Sequence, residues 1–575
     1  MALKALDILL LITNVPSLQQ ILFGVPLILL TTCLLTWIIT TINFHRTIGK
    51  FRTRELDPSN SSQAIPPPVL PYFIPWLGSA LTFLNENPGS FWRMLRSRLS
   101  ATGTNVQVCT ILLGGKRAHI VNSAAAVQSL FRSKQVSRDL FNFQLATQAL
   151  GTSKEDADAM FPPTGHEFHS QQHENKKDGM EALNHEFLLS QNAVNTLTAK
   201  FIEAFQDSLD GLEFETGEWK TVDLLSWMRR SIFESAVRAL FGTKILEMNP
   251  TLAEQFWEYE AGFLPRMYGV PKLVKPKAYS CMDGLLDKTQ AWIEYALAQH
   301  GGVAPEEPDW EPLMGSQVVR ARHRYYDKIG LSSRGKAAFD LGFLFGLAGN
   351  TVPATSWLLA HLLSPETPDD VLGRVTKEVE NARQPDNGVN MAVLMAQPLL
   401  NSAFTEMMRH YVDCLVTRQL KTDLVMDGYL LRKDDLIMAP SSLSQHDVFW
   451  ERNYEPSAYT WYAERCMRRH DDQRQIAGES NFFSSSWAAG KYFPFGGGTH
   501  ICPGRVFAKQ KVLGAVTAFF LKFDVQFVEY SGKDWMGNVV GLGKDASAFP
   551  RVKQQYAGNG TLAIDGDIRV RIRRR

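Results

Sequence analysis

An uncharged apolar segment near the start of the chain restricts where that part of the protein can reside. Residues 21–42 read ILFGVPLILLTTCLLTWIITTI. About 20 apolar residues in a helix cross a hydrocarbon layer roughly 30 Å thick. Basic residues follow at once, and such a flank marks the cytoplasmic side of a membrane: Arg46, Lys50, Arg52 and Arg54. The pattern predicts a single transmembrane anchor over 21–42, with the rest of the chain in the cytosol.

A cleaved signal peptide is the alternative for this segment. The apolar run is longer than a signal peptide needs, and no small-residue cleavage site follows it. The N-terminal segment 1–20 holds a second apolar stretch, Ile8–Ile12, which is too short to span a membrane. Two glycosylation triplets begin at Asn60 and Asn559 and would stay unused in a cytosolic body.

A basic and proline-rich linker is predicted over 43–70. The segment Ile65–Gly78, IPPPVLPYFIPWLG, crosses its end. Because proline fixes φ and disfavours helix, we expect a stiff, extended strap there. A recognition motif for proline-binding domains is an alternative, but the embedded Tyr72, Phe73, Ile74 and Trp76 favour packing on the body.

The remainder, 71–575, contains no second linker and no repeat, which predicts a single large domain. The 575 residues are 45% hydrophobic and 21% charged, with a net charge of +1. So small a charge gives no field that would attract nucleic acid, and we expect no such partner. The six cysteines form no CxxC pair, which argues against a disulfide scaffold or a structural zinc site.

Helical periodicity dominates the middle of the body. The predicted helices are Ala193–Leu209, Leu224–Phe241, Leu252–Phe263, Ala337–Leu363 and Gln397–Arg409. The histidines at 166, 169 and 173 suggest a metal site, although the polar stretch around them is more typical of a solvated loop. Strand patterns come late, so the fold class is mainly α with small β-sheets.

Two of the late strand patterns predict hairpins. Leu424–Met438 contains a turn at Asp427-Gly428, and Thr561–Ile572 alternates around Asp565-Gly566. The final RVRIRRR is a nucleic-acid patch in one interpretation. We favour an edge strand with a charged outward face.

The segment Phe493–Gln510, FPFGGGTHICPGRVFAKQ, carries the most chemistry. Its glycines permit close approach to a flat ligand. Pro503 is a favoured first residue of a helix, and a thiolate just before a helix receives free N–H groups that lower its pKa. A phosphate loop would need G-K-[ST], and a zinc site would need more soft ligands. A buried structural cysteine remains the simplest alternative.

The spacing F-x-x-G-x-H-x-C-x-G resembles the haem-binding signature of the cytochrome P-450 family, and the resemblance extends over about 65–575. It implies the cytochrome P-450 fold with haem b as cofactor and Cys502 as axial ligand to the iron. It also implies a haem-contacting set in which Phe495 shields the sulfur and His500 and Arg418 bind propionates: Phe495, Gly498, His500, Gly504 and Arg418. For Arg418, a solvated strand arginine is the alternative.

Glu406 and Arg409 match the family's E-x-x-R pair, and their spacing places them on one helical face. Arg465, in YAER, is the candidate third member. Alone, an E-x-x-R is usually a surface ion pair. In the family the set is buried and fixes the region behind the cysteine loop.

Phe339–Leu363 resembles the long helix that crosses the distal face of the haem. An all-apolar helix is otherwise a core helix or a membrane span. Pro353 removes a backbone hydrogen bond and should loosen the helix near Gly349 and Asn350, where the family binds dioxygen. Asn350, Thr351 and Thr355 are the candidate catalytic residues of a proton relay.

The sequence departs from the family here, since Gly349 and Asn350 replace the usual acid and threonine. The form A-G-N-T-x-P-A-T-x-W resembles the branch containing cholesterol 7-alpha-hydroxylase, sterol 12-alpha-hydroxylase and prostacyclin synthase. An amide cannot supply a proton as a carboxylic acid does. The reaction is therefore either monooxygenation or an isomerase or dehydratase reaction without external electrons.

The resemblance implies an endoplasmic-reticulum monooxygenase that oxidises a hydrophobic substrate such as a sterol, a terpenoid or another specialised metabolite. Its expected partners are NADPH-cytochrome P-450 reductase, which supplies electrons from NADPH, then cytochrome b-five and the lipid membrane. A non-catalytic haem sensor is a further alternative, but no residues remain for a signalling domain. No W-x-x-x-R occurs in the helix after Glu181, so one propionate contact is unassigned. Substrate contacts are expected around Phe141–Met160 and Leu252–Val274.

Overall fold

The computed structural model describes residues 18–56, 64–87, 89–162, 179–213, 217–385, 388–451, 456–469 and 481–575. The histidine-rich stretch, Ile8–Ile12 and the Asn60 triplet lie outside these ranges.

The predicted anchor is a helix, α1, that runs over Leu18–Leu56. Its segment Gly24–Thr53 contains an 18-residue window that is 0% buried, and with a mean hydropathy of 2.1 the helix is long and apolar enough to cross a membrane. The helix continues beyond residue 42 through the basic flank, so the first part of the predicted linker is helical.

The proline strap packs on the body and on the end of α1. The backbone N–H of Leu70 donates to the Thr110 carbonyl at 2.8 Å. Trp37 of α1 stacks on Phe73 with ring centroids 5.7 Å apart. Phe44, on the same helix, is buried in a cluster with Leu70. The embedded aromatic residues therefore join the anchor to the body.

Most elements of the body are helices. They are α2 Ala80–Phe83, α3 Ser90–Ser100, α4 Ala124–Arg132, α5 Asp139–Gln144, α6 Lys154–Met160, α7 Met180–Asn184, α8 Gln191–Asp210, α9 Leu224–Phe241, α10 Lys244–Met248, α11 Leu252–Ala261, α12 Phe263–Met267, α13 Pro276–Gln299, α14 Gln317–Lys328, α15 Ser333–Ala348, α16 Thr351–Leu363, α17 Asp369–Asn381, α18 Met391–Ala396, α19 Pro398–Tyr411, α20 Ser441–Gln445 and α21 Arg505–Lys522. Two π-helical turns, Leu145–Leu150 and His185–Leu189, continue α5 and α7.

The predicted helices are confirmed, with two differences. The pattern over Leu252–Phe263 divides at Gly262 into α11 and α12. The long apolar pattern divides at Gly349–Asn350 into α15 and α16, as the position of Pro353 predicted. Almost all of α16 is buried between neighbouring helices, which explains why its sequence is apolar on every face.

The strands form small sheets. They are β1 Val108–Leu113, β2 Lys116–Val121, β3 Val136–Ser137, β4 Lys220–Asp223, β5 Trp310–Glu311, β6 Gly315–Ser316, β7 Val412–Leu420, β8 Leu424–Met426, β9 Tyr429–Leu431, β10 Leu436–Pro440, β11 Met467–Arg469, β12 Asn481–Phe483, β13 Phe523–Lys533, β14 Val539–Gly543, β15 Arg551–Val552, β16 Asn559–Thr561, β17 Ile564–Asp565 and β18 Asp567–Arg574. A six-stranded sheet has the order β1-β2-β10-β7-β16, with β3 on β7, and a four-stranded sheet has the order β14-β13-β18-β4.

The hairpin at Asp427-Gly428 is confirmed, because β8 and β9 pair across it. The hairpin predicted at Asp565-Gly566 is wrong, since β17 pairs with β15 whereas β18 pairs with β13 and β4. The C-terminal strand is consequently interior to its sheet and not an edge. Its arginines pair with acids of neighbouring elements: Arg569 with Asp223 and Glu529, and Arg573 with Asp524.

A buried carboxylate on α19 organises the segment that leads to the cysteine loop. Arg409 donates through Nε to Glu406 Oε2 at 2.7 Å, and Arg465 donates through Nε to Glu406 Oε1 at 2.9 Å. All three side chains are fully buried. The remaining guanidinium N–H groups donate to backbone carbonyls: those of Gln445, Trp450, Pro456, Ser457, Ala458 and Thr460. The three residues thus bind together α19, α20 and the segment 456–465.

We expect Glu406→Gln to lower the free energy of unfolding by about 3–5 kcal/mol, because it leaves two buried guanidinium groups without a counter-charge. Glu234→Gln is the control, since it breaks an exposed pair with Arg230 and should cost at most about 1 kcal/mol. Urea unfolding followed by tryptophan fluorescence measures both. Equal small losses would contradict a charge-dependent role for Glu406.

A group of buried histidines should make the protein sensitive to mild acid. Burial lowers the pKa of His361 to about 3 and that of His446 to about 4, and it lowers the pKa of His410 well below the usual value. Between these values and about 6.5, the unfolded chain binds protons that the folded chain does not. Stability therefore rises with pH across this interval and is lost as pH falls below about 6.5.

Each such histidine contributes up to about 1.4 kcal/mol per pH unit to the slope of the unfolding free energy against pH. We expect His446→Gln to remove one such contribution, measured as the difference in unfolding free energy between pH 7.5 and 5.5. His185→Gln, at an exposed position, is the control and should leave the slope unchanged. An unchanged slope in His446→Gln would contradict the prediction.

Candidate active site

Cys502 lies at the end of a closed loop just before α21. Its N–H donates to the carbonyl of Phe495 at 3.0 Å, which fixes the turn between the two residues. The helix begins at Arg505 with Gly504 as its N-cap, so Pro503 belongs to the turn and not to the first helical position. Burial raises the pKa of the Cys502 thiol, while the Gly504 N–H and the charge of Arg505 act in the opposite direction. A metal ion bound at sulfur deprotonates such a thiol.

The glycines of the loop have a steric role as well as a conformational one. Gly498 has a φ of 70°, and a Cβ at this position would lie 2.4 Å from the carbonyl oxygen of Phe131. Any side chain would force the loop away from α4. The backbone of Gly497 and Gly498 thus packs directly on Phe131 of the neighbouring helix, and the close approach of this loop to a flat ligand stays a prediction.

Three basic groups converge near the cysteine loop. Arg418 of β7 lies close enough to Arg138 for burial and mutual repulsion to lower its pKa to about 10. Partial burial and the charges of both arginines lower the pKa of His500 to about 4, partly offset by Asp139. The Nε of Arg138 is buried without a hydrogen-bond partner. Such a cluster is unfavourable unless an anionic ligand joins it.

This cluster fits the haem that the resemblance implies. Two propionates would bring two negative charges to Arg138 and Arg418, and His500 can donate a hydrogen bond without being charged. Burial raises the pKa of Cys414 to about 12, with smaller effects from Asp413, Cys502, Arg418 and Arg138, so this strand residue lies near both the sulfur and the cations. The residues present can therefore hold a haem with its iron at Cys502 and its propionates at the basic groups.

The distal helix is interrupted where its chemistry was expected. Pro353 has no N–H to offer the carbonyl of Gly349. The carbonyl of Leu347, near the end of α15, accepts from the Thr351 hydroxyl at 2.6 Å and from Lys511 Nζ at 2.6 Å. Lys511 is fully buried on α21, and burial lowers its pKa to about 7. An ammonium at the C-terminal end of a helix is favourable, so Lys511 helps to hold the break.

The three candidate relay residues are not equivalent in the structure. Asn350 accepts through its side-chain oxygen from the backbone N–H of Thr561 at 2.9 Å, which leaves the amide N–H₂ as its donor. Thr355 is buried and donates to the Thr351 carbonyl at 2.9 Å. Both threonine hydroxyl protons are thus used within the helix, and Asn350 is held against β16. Their roles in a relay stay predictions.

An apolar cavity of about 330 Å³ borders the basic cluster. It is lined by Arg418 and by side chains from both regions where substrate contacts were expected, among them Phe141, Leu145, Phe263 and Met267. Strand β7 and the turn at Gly558 close another side. Apolar walls with few polar groups are typical of a site for a hydrophobic small molecule.

Two residues of the site, Arg138 and Lys511, were not predicted from the sequence. Arg138 precedes α5 and belongs to no motif, so only the fold brings it to Arg418. Lys511 gave a weak signal in the sequence, because it falls four residues after Phe507 on the same face of α21. In the structure its ammonium lies 5.7 Å from the Phe507 ring. A lysine among apolar residues on a helix facing the core indicates a buried cation. Of the predicted structural set, Glu406, Arg409 and Arg465 come together as described above.

Known proteins are similar to this chain in sequence over most of its length. The chain is 27% identical to a cytochrome P450 monooxygenase (calL) of Penicillium decumbens, covering 83% of this chain and 88% of that protein. It is 26% identical to another (fsoE) of Humicola fuscoatra, with 88% of each covered. It is 24% identical to the cholesterol 7-alpha-monooxygenase of Cricetulus griseus, covering 87% of this chain and 92% of that protein.

The solved structure of a retinoic acid-bound cyanobacterial CYP120A1 matches with a TM-score of 0.58 at 18% identity, covering 89% of this chain and 100% of that chain. This similarity confirms the fold. The family model described as Cytochrome P450 matches residues 66–540. The chain therefore belongs to the cytochrome P450 family and is a haem-thiolate monooxygenase.

Proposed function

We propose that this protein is a membrane-anchored monooxygenase of polycyclic hydrophobic substrates, sterols or terpenoids, and that it takes electrons from NADPH-cytochrome P-450 reductase. The observation that carries the proposal is the basic cluster, which lies near Cys502 and whose Arg418 also lines the 330 Å³ apolar cavity. Cytochrome b-five is the proposed second electron donor. The relative that is named cholesterol 7-alpha-monooxygenase supports a sterol as substrate.

In this proposal the haem supplies the oxygen chemistry, and the thiolate ligand favours cleavage of the O–O bond. The protein does the rest with its own residues. Arg138, Arg418 and His500 fix the orientation of the cofactor through its propionates. The break between α15 and α16 leaves room beside the distal face. Asn350, Thr351 and Thr355 stand at that break as the proposed route for protons.

The apolar cavity favours a substrate that partitions into lipid. Phe141, Phe263 and Met267 offer it flat and adaptable surfaces, which suit fused rings. With α1 in the endoplasmic-reticulum membrane and the body in the cytosol, such a substrate would enter from the lipid. The exposed Leu273 and Val274, at 93% and 63% exposure, precede α13 and suit contact with a membrane surface.

One observation favours a second candidate, an isomerase or dehydratase that uses no external electrons. Gly349 occupies the position of the usual acid, and the oxygen of Asn350 is engaged by Thr561. Such an enzyme would convert an oxygenated lipid without NADPH. The experiment below separates the two candidates.

Arg138 is proposed to hold the cofactor. We expect Arg138→Leu to speed the loss of haem by about 10- to 100-fold, since a hydrogen bond to a charged group contributes about 1.5–3 kcal/mol. The measurement is transfer of haem to excess apomyoglobin, followed by absorbance. Arg132→Leu, at an exposed arginine six positions earlier, is the control. Equal rates in wild type and Arg138→Leu would remove Arg138 from the site.

The source of electrons separates the two candidate functions. In vesicles, we expect a thiolate-type carbon monoxide spectrum after reduction by dithionite and equally after NADPH with reductase. Addition of a sterol or terpenoid substrate should then give product that requires NADPH and dioxygen. Cys502→Ser should abolish the thiolate-type band. Product without NADPH would favour the isomerase, and no thiolate-type band in folded wild type would contradict the cofactor.

A further inference from the structure

Two cavities with charged side chains in their walls lie on one side of the distal helix and share part of their lining. The outer one has a volume of about 460 Å³, and its rim includes the exposed side chains of Glu258 and Lys277. The inner one has about 60 Å³. A buried water needs roughly 10–15 Å³ of such volume, so the inner cavity has room for a short chain of waters. Both are lined by Arg229, Trp257, Glu260 and Lys553.

The inner cavity ends at the break in the distal helix. Gly349, Val352, Pro353 and Ser356 form its wall, and their spacing places them on one helical face. Because Gly349 has no side chain, the cavity reaches the backbone at the position of the missing acid. Because Pro353 has no N–H, the carbonyl of Gly349 lacks its usual intrahelical donor and can accept from water.

Glu260, on α11, is the carboxylic acid among the described residues that line the inner cavity. It is 8% exposed. Burial lowers the pKa of the neighbouring Arg229, and the charge of Glu260 opposes this shift. Arg229 in turn lies over the ring of Trp257 at 4.1 Å. The carboxylate thus lies near a cation, in a wall shared by the outer cavity and by the cavity that reaches the helix break.

We propose that Glu260 relays protons from solvent to the distal site through these two cavities and so replaces the acid absent at Gly349. It is a positioning residue, since it acts through water and does not touch the reacting atoms. The inference rests on the proposed reaction, RH + O₂ + 2 H⁺ + 2 e⁻ → ROH + H₂O, with electrons from NADPH through the reductase. For each proton that leaves its carboxyl group inward, Glu260 regains one from the outer cavity.

The first experiment measures how much of the NADPH consumed appears as product. In Glu260→Gln we expect this fraction to fall by on the order of 10-fold, since the shape is kept but the ionisable proton is lost. Glu260→Asp should restore part of it, and the solvent deuterium isotope effect on turnover should rise only in Glu260→Gln. Glu258→Gln is the matched control at the rim of the outer cavity. Equal fractions in Glu260→Gln and Glu258→Gln would overturn the proposal.

A second experiment does not depend on turnover, and its decisive arm uses the wild-type protein alone. Hydroxyl radicals generated in water label buried side chains that touch internal water. We expect Pro353 of the resting wild-type protein to be labelled several-fold faster than in Ser226→Leu, which fills the inner cavity, while Leu359 stays unlabelled in both. An unlabelled Pro353 in wild type would overturn the water path even where the monooxygenase activity itself is established.

If NADPH-dependent product is absent in wild type, the proposed function fails, whereas the labelling of Pro353 still decides whether the water path exists. If wild type forms product and Ser226→Leu keeps the full NADPH-to-product fraction with Pro353 unlabelled, the relay is overturned and the function stands.

Discussion

One carboxylate, that of Glu406, determines where the segment before the cysteine loop can lie. Two guanidinium groups share it, and their other N–H groups donate to backbone carbonyls of three separate segments of the chain. Removing three ions from water is expensive, and the arrangement is tolerable only because almost every donor has an acceptor. A chain with any of these segments displaced would leave a charge or a carbonyl unsatisfied. The set therefore specifies one arrangement and permits few others.

A second constraint joins the two faces of the site. α21 begins just after Cys502, and nine residues later its Lys511 donates to the carbonyl at the end of α15. The helix that presents the sulfur thus also holds the break on the distal side. A displacement of α21 along its axis would move both groups together. The distance between ligand and break is set by one rigid element, which is what precise chemistry between them requires.

The sequence allowed the fold class, the family and most of the helices to be predicted, because these depend on periodicity and on a spaced motif around Cys502. It allowed the local hairpin at Asp427-Gly428 to be predicted, but not the pairing of strands that are distant in sequence. The pattern around Asp565-Gly566 has the alternation and turn of a hairpin, yet β18 pairs with β13 and β4, which are longer than the two-residue β17. Arg138 could not be predicted for a related reason. It matters because it lies close in space to Arg418, which is distant in sequence. Local patterns predict elements, whereas non-local pairing and converging charges need the folded chain.

In the proposed function, the two kinds of cavity explain how the protein can lack an acid on its distal helix. The proposed substrate cavity lies on the side of β7 and α12, and its largely apolar walls limit the water near the substrate. The two cavities with charged side chains in their walls lie on the side of α9 and α11, and the inner one meets the helix at Gly349. A carboxylate on the helix itself would place charge close to the apolar side. A glycine there opens the backbone to water while the charge stays on α11, beside Arg229, which keeps it paired and distant from the substrate.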